Sequence, residues 1–239
     1  MGNYEYTYIT KDKMSFEYLN SNDYVNDFLL YKDQHKNYNS YMNFKDDAQL
    51  KTDNYSYRHF KMNTLLGTWR WKGMFTYKDK ILPIIFNKNL KGVDFGGAQC
   101  PVSRDIDIVD IDNKDIWGRP IKYKNLKDIN YKLDYIFSSH CLEHLPELSK
   151  FIEQFYNSLK DNGKLILNLP AYTCKRWRGK NGHWMGGTPH LYTFALEETK
   201  IEEEIDTLVL IDTILKIYNF KINIAEYTGD NSIIIIAEK

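Results

Sequence analysis

The sequence has no excess charge of either sign, few cysteines and no long hydrophobic segment. Its 239 residues include 32 basic and 32 acidic side chains, so no overall field draws the chain to nucleic acid or to an anionic membrane. The N-terminal segment MGNYEYTYITKDK has no apolar core, and no apolar run approaches the length that spans a bilayer. The composition therefore predicts neither secretion nor a membrane anchor.

The few cysteines indicate a reducing environment. Cys100, Cys141 and Cys174 are odd in number and show no paired spacing, which favours reduced thiols and a cytoplasmic protein. The chain length suits one α/β domain with an appendage, and it is sufficient to bury a substantial core.

The chain divides into two regions of different pattern. Residues 1–80 are rich in Tyr, Asn, Lys and Asp, with apolar positions at mixed helical spacing, which predicts an N-terminal helical cap. Strand and helix patterns alternate over residues 81–239, the predicted main domain. After a lead-in at 81–86 we expect strands at 92–95, 106–110, 121–123, 133–138 and 164–169, helices at 146–160 and 199–218, and a C-terminal β-hairpin.

The stretch GVDFGGAQCPVSRDIDIVDID, residues 92–112, reads as a strand, a glycine turn and a second strand that ends in carboxylates. Gly96 and Gly97 lack a Cβ, so the backbone can turn sharply and a ligand can approach it. Asp110 or Asp112 at the end of the second strand can accept hydrogen bonds from both hydroxyls of a ribose. Taken alone, the glycine pair fits an ordinary turn equally well.

Two later blocks, LDYIFSSHCLEHL at 133–145 and LKDNGKLILNLP at 159–170, occur in the order of a known pattern. Together with the glycine turn, they resemble the class I S-adenosylmethionine-dependent methyltransferases, in particular the small group that carries an SSHxLEHL sequence. The matching residues are Asp94, Gly96, Asp134, Ser138, Ser139, His140, Leu142, Glu143, His144, Leu159, Lys160, Gly163 and Pro170.

The resemblance implies an α/β fold with a Rossmann-like, mostly parallel seven-stranded sheet and a C-terminal antiparallel hairpin. It also implies S-adenosylmethionine as the cofactor. The expected cofactor contacts are Asp94, Gly96, Gly97, Asp110, Asn125, Leu126, Ser138 and His140. For Asp94, anchoring of the glycine turn is an alternative to contact with the cofactor ammonium, and Asn125 is equally explained as a turn residue.

The glycine motif departs from the family pattern. Ala98 replaces the usual second glycine, and about 14 residues separate Gly96 from Asp110, against roughly 20 when a full helix joins the two strands. We therefore expect the first helix to be reduced to a turn. S-adenosylmethionine has no pyrophosphate for that helix to bind, so cofactor binding is expected to survive.

Residues 172–192, YTCKRWRGKNGHWMGGTPHLY, are cationic and aromatic, and they follow the fifth predicted strand, where the resemblance implies a substrate loop. We predict acceptor contacts from Tyr172, Arg176, Arg178 and Trp184, because arginine binds anions in a forked contact and tryptophan stacks on sugar faces. The candidates for proton removal are His183, His190 and His140. The alternative is a solvated basic loop above packed tryptophans.

These features predict methyl transfer, most simply to oxygen, on a small polar acceptor such as a sugar, a nucleotide-sugar or a phosphorylated metabolite. A role in capsule or surface-polysaccharide synthesis is implied by the resemblance alone. We expect a monomer or homodimer and no nucleic-acid partner, because no basic stripe extends beyond the one loop.

Two other functions fit parts of the sequence. His140, Glu143 and His144 have the H-x-x-E-H spacing of inverted zinc peptidases, which needs both histidines on one helix. A strand pattern directly precedes His140 and leaves no room for that helix, so we predict no metal there. The altered glycine motif is also compatible with a Rossmann-like module that binds without catalysing.

Overall fold

A computed structural model of the protein describes residues 78–85, 87–98, 102, 106–115, 118–173, 190–199, 208–228 and 232–239. The predicted cap at 1–80 lies almost wholly outside these residues. So does most of the segment between Ala98 and Ile106, where a shortened first helix was expected. The division into two regions stays a prediction.

The described residues form one six-stranded sheet and a separate pair of strands. The strands are β1 (Gly92–Phe95), β2 (Asp107–Val109), β3 (Leu133–Ser139), β4 (Leu159–Pro170), β5 (Thr193–Ala195), β6 (Leu208–Leu210), β7 (Lys221–Tyr227) and β8 (Ser232–Glu238). The main sheet has the order β2-β1-β3-β4-β8-β7. Strands β1 to β4 are parallel to one another, whereas β8 is antiparallel to both β4 and β7. The predicted mostly parallel sheet and C-terminal hairpin are thus confirmed.

The inner strands are buried over long uninterrupted runs, as expected where both faces of a sheet are covered. Strand β3 is buried from Tyr135 to Ser139, and β8 is buried at six successive positions. Such continuous runs are typical of strands that have helices on both sides, whereas half-exposed strands alternate.

Three described helices cover the sheet: α1 (Lys78–Ile85), α2 (Leu148–Ser158) and α3 (Ile211–Ile217). Helix α2 buries Leu148, Ile152 and Phe155, whose spacing places them on one face. Phe155 meets the ring of Phe95 edge to face, with 4.9 Å between ring centroids. This packing fixes α2 beneath the end of β1, next to the glycine turn.

The N-terminal part of the described chain is tied to the sheet by one buried hydrogen bond. The hydroxyl of Tyr135 donates to the carbonyl oxygen of Ile85 over 3.0 Å. Burial raises the pKa of this phenol well above its ordinary value, so the hydroxyl keeps its proton and remains a donor.

Three details differ from the predicted elements. Residues 121–123 were expected to form a strand but make only one parallel bridge, between Tyr123 and Val109 of β2. This bridge lies beside β2, at the edge of the sheet where the seventh strand was expected. Part of the predicted helix at 199–218 is instead β6, which pairs in parallel with β5 and is followed by α3. The lead-in at 81–86 belongs largely to α1. None of the described helices is long and apolar enough to cross a bilayer.

Candidate active site

The carboxyl ends of β1, β2 and β3 meet at one edge of the sheet. Strand β1 has β2 on one side and β3 on the other, so the chain reverses its direction of progress across the sheet at this point. Ligands of open α/β sheets bind in the crevice beyond such a reversal. The predicted site residues that the structure describes lie at or close to this edge.

The glycine turn after β1 is packed closely against the segment that follows β3. Gly96 has φ +74°, and its amide donates to the carbonyl oxygen of Val109 over 2.9 Å. A Cβ on Gly96 would lie 2.3 Å from the Cys141 sulfur. Glycine is therefore required here for two reasons, the left-handed backbone conformation and the absence of space.

Asp94, in the strand that leads into this turn, anchors it through its side chain. Its side chain is fully buried, and its Oδ2 accepts a hydrogen bond of 2.8 Å from the Val102 amide. A Cβ on Gly97 would lie 2.5 Å from the Asp94 carboxylate. Of the two roles expected for Asp94, this geometry favours anchoring of the turn over contact with a cofactor ammonium.

Asp110 connects the end of β2 to the glycine turn. Its half-buried carboxylate accepts hydrogen bonds from the amides of Ala98 and Asp112, at 3.0 and 3.1 Å. An ionised carboxylate has about four acceptor positions, so two backbone bonds leave capacity for two further donors. Asp112 is also half-buried, but the contact between the two loops is made by Asp110.

Asn125 and Leu126 have structural roles at the next turn. Asn125 caps the short 3₁₀ helix Leu126–Asp128 by accepting from the Lys127 amide, while Asp128 accepts from the Asn125 amide. The Leu126 side chain is buried in the main hydrophobic core. The adenine contacts expected of Leu126 and of the half-buried Asn125 stay predictions.

The end of β3 is held by hydrogen bonds to both of its neighbours. The Ser138 hydroxyl donates to the carbonyl oxygen of Phe95 over 3.1 Å, and Asn168 donates to the Ser139 hydroxyl at the same distance. His140 follows with φ +49°, and its amide donates to the Asn168 carbonyl oxygen. The backbone therefore turns at the strand end and directs His140 back towards β4 and β8.

Three imidazoles surround the carboxylate of Glu143, which is fully buried. The Glu143 Oε1 atom lies 3.6 Å from His140 Nδ1 and 3.9 Å from the Nε2 atoms of both His144 and His190. His140 Nε2 also lies 3.5 Å from the hydroxyl of Ser232, at the start of β8. Two of the predicted catalytic histidines, His140 and His190, thus lie around one carboxylate.

His190 reaches this position from a distant part of the sequence. The amide of Leu191 donates to the Glu143 carbonyl oxygen over 2.7 Å, which fixes the chain just before β5 against the turn after β3. The rings of His144 and His190 meet edge to face, with 4.8 Å between centroids. His144 was absent from the predicted catalytic set, although the H-x-x-E-H spacing pointed to it.

The geometry does not fit an inverted zinc peptidase. The only helical turn around this motif is the three-residue 3₁₀ segment Leu142–His144, and His140 precedes it in a left-handed conformation. His140 and His144 are therefore not one turn apart on a single helix, as that motif requires.

The predicted acceptor loop is described only at its two ends. Tyr172 is half-buried; its amide donates to the Phe194 carbonyl oxygen, and its ring lies 5.9 Å from that of Tyr227. Burial raises the pKa of the Tyr227 phenol, although a hydrogen bond that its oxygen accepts from the Leu196 amide acts to lower it. The other predicted loop residues, Arg176, Arg178, His183 and Trp184, lie outside the described residues.

Comparison with known families decides the class of this site. A family model described as a methyltransferase domain matches residues 74–201, more than half of the chain. The chain belongs to this methyltransferase domain family. The resemblance to class I S-adenosylmethionine-dependent methyltransferases is thereby confirmed, and S-adenosylmethionine is the cofactor of this methyltransferase. No curated protein sequence matches it.

Several solved structures resemble this methyltransferase at low sequence identity. They include a chain of the Haloferax volcanii complex that contains the Trm112 methyltransferase activator, with 8% identity, a TM-score of 0.49 and coverage of 71% of this chain and 89% of that chain. Magnesium protoporphyrin IX methyltransferase of Synechocystis has 16% identity and a TM-score of 0.47, and the match covers 80% of this chain and 97% of that chain. Human N-acetylserotonin methyltransferase has 13% identity and a TM-score of 0.45, and the match covers 81% of this chain and 60% of that chain. Likeness of this degree carries no argument about the acceptor.

Proposed function

We propose that this methyltransferase transfers the methyl group of S-adenosylmethionine to a hydroxyl of a small polar acceptor that is anionic or sugar-like. The observation that carries the cofactor part of the proposal is the link through Asp110 between the end of β2 and the glycine turn, at the edge where the sheet order reverses. A carboxylate at the end of the second strand supports ribose binding there, because folds of this kind bind a ribose at that position.

The residues present fit the cofactor. The carboxylate of Asp110 retains acceptor capacity beyond its bonds to Ala98 and Asp112, as two ribose hydroxyls require. The glycine turn leaves its backbone, rather than side chains, facing the crevice. S-adenosylmethionine supplies, when bound, a methyl group already activated by a positively charged sulfur.

The acceptor must then be positioned and must lose a proton. As the hydroxyl oxygen bonds to the methyl carbon, the carbon–sulfur bond breaks and the hydroxyl proton passes to a base. His140 and His190 lie at the correct edge of the sheet for this role, and Glu143 lies between them. Proton removal by a positioned side chain contributes about 10²- to 10⁴-fold to such reactions.

The acceptor class rests on the sequence of the loop at residues 172–192. Its arginines, Arg176 and Arg178, suit a phosphate or carboxylate, and Trp184 suits a sugar face. A sugar or nucleotide-sugar on the way to a surface polysaccharide combines both features. With three cysteines in no paired spacing, we place this reaction in the cytoplasm.

The cofactor site is tested by Asp110→Asn, with Asp112→Asn as the matched control two residues away. Loss of charge-assisted hydrogen bonds of about 1.5–3 kcal/mol should raise the Kd for S-adenosylhomocysteine at least about 10-fold in Asp110→Asn. The control should bind within a few-fold of the unchanged protein. Isothermal titration calorimetry gives both Kd values, and urea unfolding shows whether loss of the Ala98 bond also weakens the fold. Equal affinity in both variants would place the ribose elsewhere.

The acceptor class is tested with S-adenosylmethionine labelled in its methyl group. We expect incorporation into members of a panel of nucleotide-sugars, sugar phosphates and free sugars, with mass spectrometry locating the methyl group on oxygen. RNA oligonucleotides and peptides serve as competing classes. Transfer to one of these classes in place of the sugars would refute the acceptor assignment without affecting the cofactor site.

A further inference from the structure

The strongest unexplained feature is the group formed by Glu143, His144 and His190, here called the histidine–glutamate cluster. We propose that it binds one divalent transition-metal ion, with zinc as the reference ion, and that the ion offers its open positions to acceptor oxygen. The acceptor part rests on the proposed function. The metal site itself does not.

The spacing of the ligand atoms fits a shared ion. One nitrogen from each histidine and one carboxylate oxygen all lie within 4.8 Å of one another. Two of these separations are 3.9 Å, from Glu143 Oε1 to His144 Nε2 and to His190 Nε2. A tetrahedral zinc with bonds of about 2.0–2.2 Å separates its ligand atoms by roughly 3.3–3.5 Å. Side-chain movements of about 1 Å would therefore complete the coordination.

The charge and burial of the cluster favour a cation. The Glu143 carboxyl group is fully buried and the His190 side chain is 4% exposed, so both groups lie in a region shielded from water. A buried charge is retained in proteins when it is paired or bound to a metal. The His144 side chain is 29% exposed, which gives an ion or an acceptor a route to the cluster.

The cluster is also built from two separate segments that are fixed to each other. Glu143 and His144 belong to the turn after β3, whereas His190 precedes β5 by three positions. The hydrogen bond from the Leu191 amide to the Glu143 carbonyl oxygen joins these segments beside the ligands. Such a bond positions the three groups before an ion arrives, which lowers the cost of ordering them on binding.

The ligand set indicates the type of ion and its use. Two imidazoles and one carboxylate are characteristic of zinc and non-haem iron centres that keep positions open for substrate. An ion at this edge would lower the pKa of a hydroxyl that binds to it, as zinc does for bound water. His190 is then a ligand, and His140, whose Nδ1 lies 3.6 Å from Glu143 Oε1, is the described base for the hydroxyl proton.

This arrangement differs from the peptidase motif considered from the sequence. That motif would use His140 with His144, whereas the cluster uses His144 with His190 and takes Glu143 as a ligand. From the sequence we expected no metal site, and the cluster is proposed against that expectation. The two possibilities are separated by substitution of His140, which only the peptidase-like site needs.

Metal binding is measured on the full chain, freed of metal by chelation and then dialysed against Zn²⁺ or Co²⁺. Elemental analysis gives the stoichiometry, and the visible absorption of Co²⁺ reports nitrogen and oxygen ligands. We expect one ion per chain. His144→Asn and His190→Asn should weaken binding at least about 100-fold, since loss of groups that merely orient ligands already costs 10- to 100-fold. His140→Asn is the matched control: His140 lies beside the Glu143 ligand but is not itself a ligand, so this variant should weaken binding by no more than about 10- to 100-fold, less than either ligand variant.

Binding of S-adenosylhomocysteine by each variant serves as the test of folding and keeps the two proposals separate. A chain that binds this ligand but takes up no metal contradicts the metal site alone. Metal uptake that persists in both His144→Asn and His190→Asn, or that is lost in His140→Asn, also refutes the cluster. For the acceptor role, removal of metal should abolish methyl transfer while cofactor affinity stays unchanged, and full transfer by metal-free protein would refute it.

Discussion

Replacement of Gly96 by alanine tests whether the glycine turn is built as tightly as described. The new Cβ would lie 2.3 Å from the Cys141 sulfur and 2.7 Å from the Cys141 Cβ. Neither distance is possible without movement of one of the two segments. The alanine would also have to adopt φ +74°, a left-handed conformation that side chains disfavour.

The cost can be worked out from these two terms. The left-handed conformation costs roughly 1–2 kcal/mol. Overpacking of a tight contact typically costs about 1–3 kcal/mol. Gly96→Ala should therefore lower the free energy of unfolding by about 2–5 kcal/mol. Only the overpacking part depends on Cys141, so Cys141→Gly should recover about 1–3 kcal/mol of the loss in the double variant.

The assay is urea unfolding of the four proteins of this cycle, analysed by linear extrapolation. The cycle removes the separate cost of glycine at position 141 from the comparison. A loss below about 1 kcal/mol in Gly96→Ala would contradict both terms. A loss of the expected size that Cys141→Gly does not reduce in the double variant would refute the contact with Cys141. The cost would then come only from the left-handed backbone conformation at position 96.

Two further predictions concern the strand that ends at the site. Asp134 accepts hydrogen bonds from the Lys91 amide and the Lys160 ammonium; although burial acts to raise its pKa, these bonds hold it below the usual value. Asp134→Asn should therefore cost about 0.2–1 kcal/mol at neutral pH, and unfolding curves should show this difference vanishing as the pH falls through that lowered pKa. Ser138→Ala removes a buried bond to the end of β1 and should cost about 1–3 kcal/mol in urea unfolding. Calorimetry should show an unchanged Kd for S-adenosylhomocysteine if Ser138 is structural, and an affinity loss would restore it as a cofactor contact.

Much of the fold could be predicted from the sequence because its pattern is strong where the sheet is buried. The apolar runs of β3 and β8 have few alternative interpretations. The predicted helix at 199–218 was partly wrong, since Leu208–Leu210 pairs with Thr193–Ala195 as a strand. Three apolar residues carry no periodicity that separates strand from helix, and the pairing partner lies in another segment.

The candidate site was less predictable because its contacts join distant segments. The position of Asp110 at the end of a strand could be anticipated from the sequence, as could the turn at Gly96, whereas ribose binding by Asp110 stays a prediction. The close approach of His190 to Glu143 could not, because it depends on a hydrogen bond between segments 48 residues apart, Leu191 to Glu143. Leu126 was assigned to the cofactor by its place in the family pattern, whereas its apolar side chain is used in the core.

Calorimetric titration of the 239-residue protein with S-adenosylhomocysteine asks whether this chain binds the cofactor of an S-adenosylmethionine-dependent methyltransferase. The product is used because it cannot be consumed during the titration. We expect saturable binding at one site per chain, competed by S-adenosylmethionine and weakened by Asp110→Asn. Folded protein that shows no binding of either ligand at millimolar concentration would contradict it.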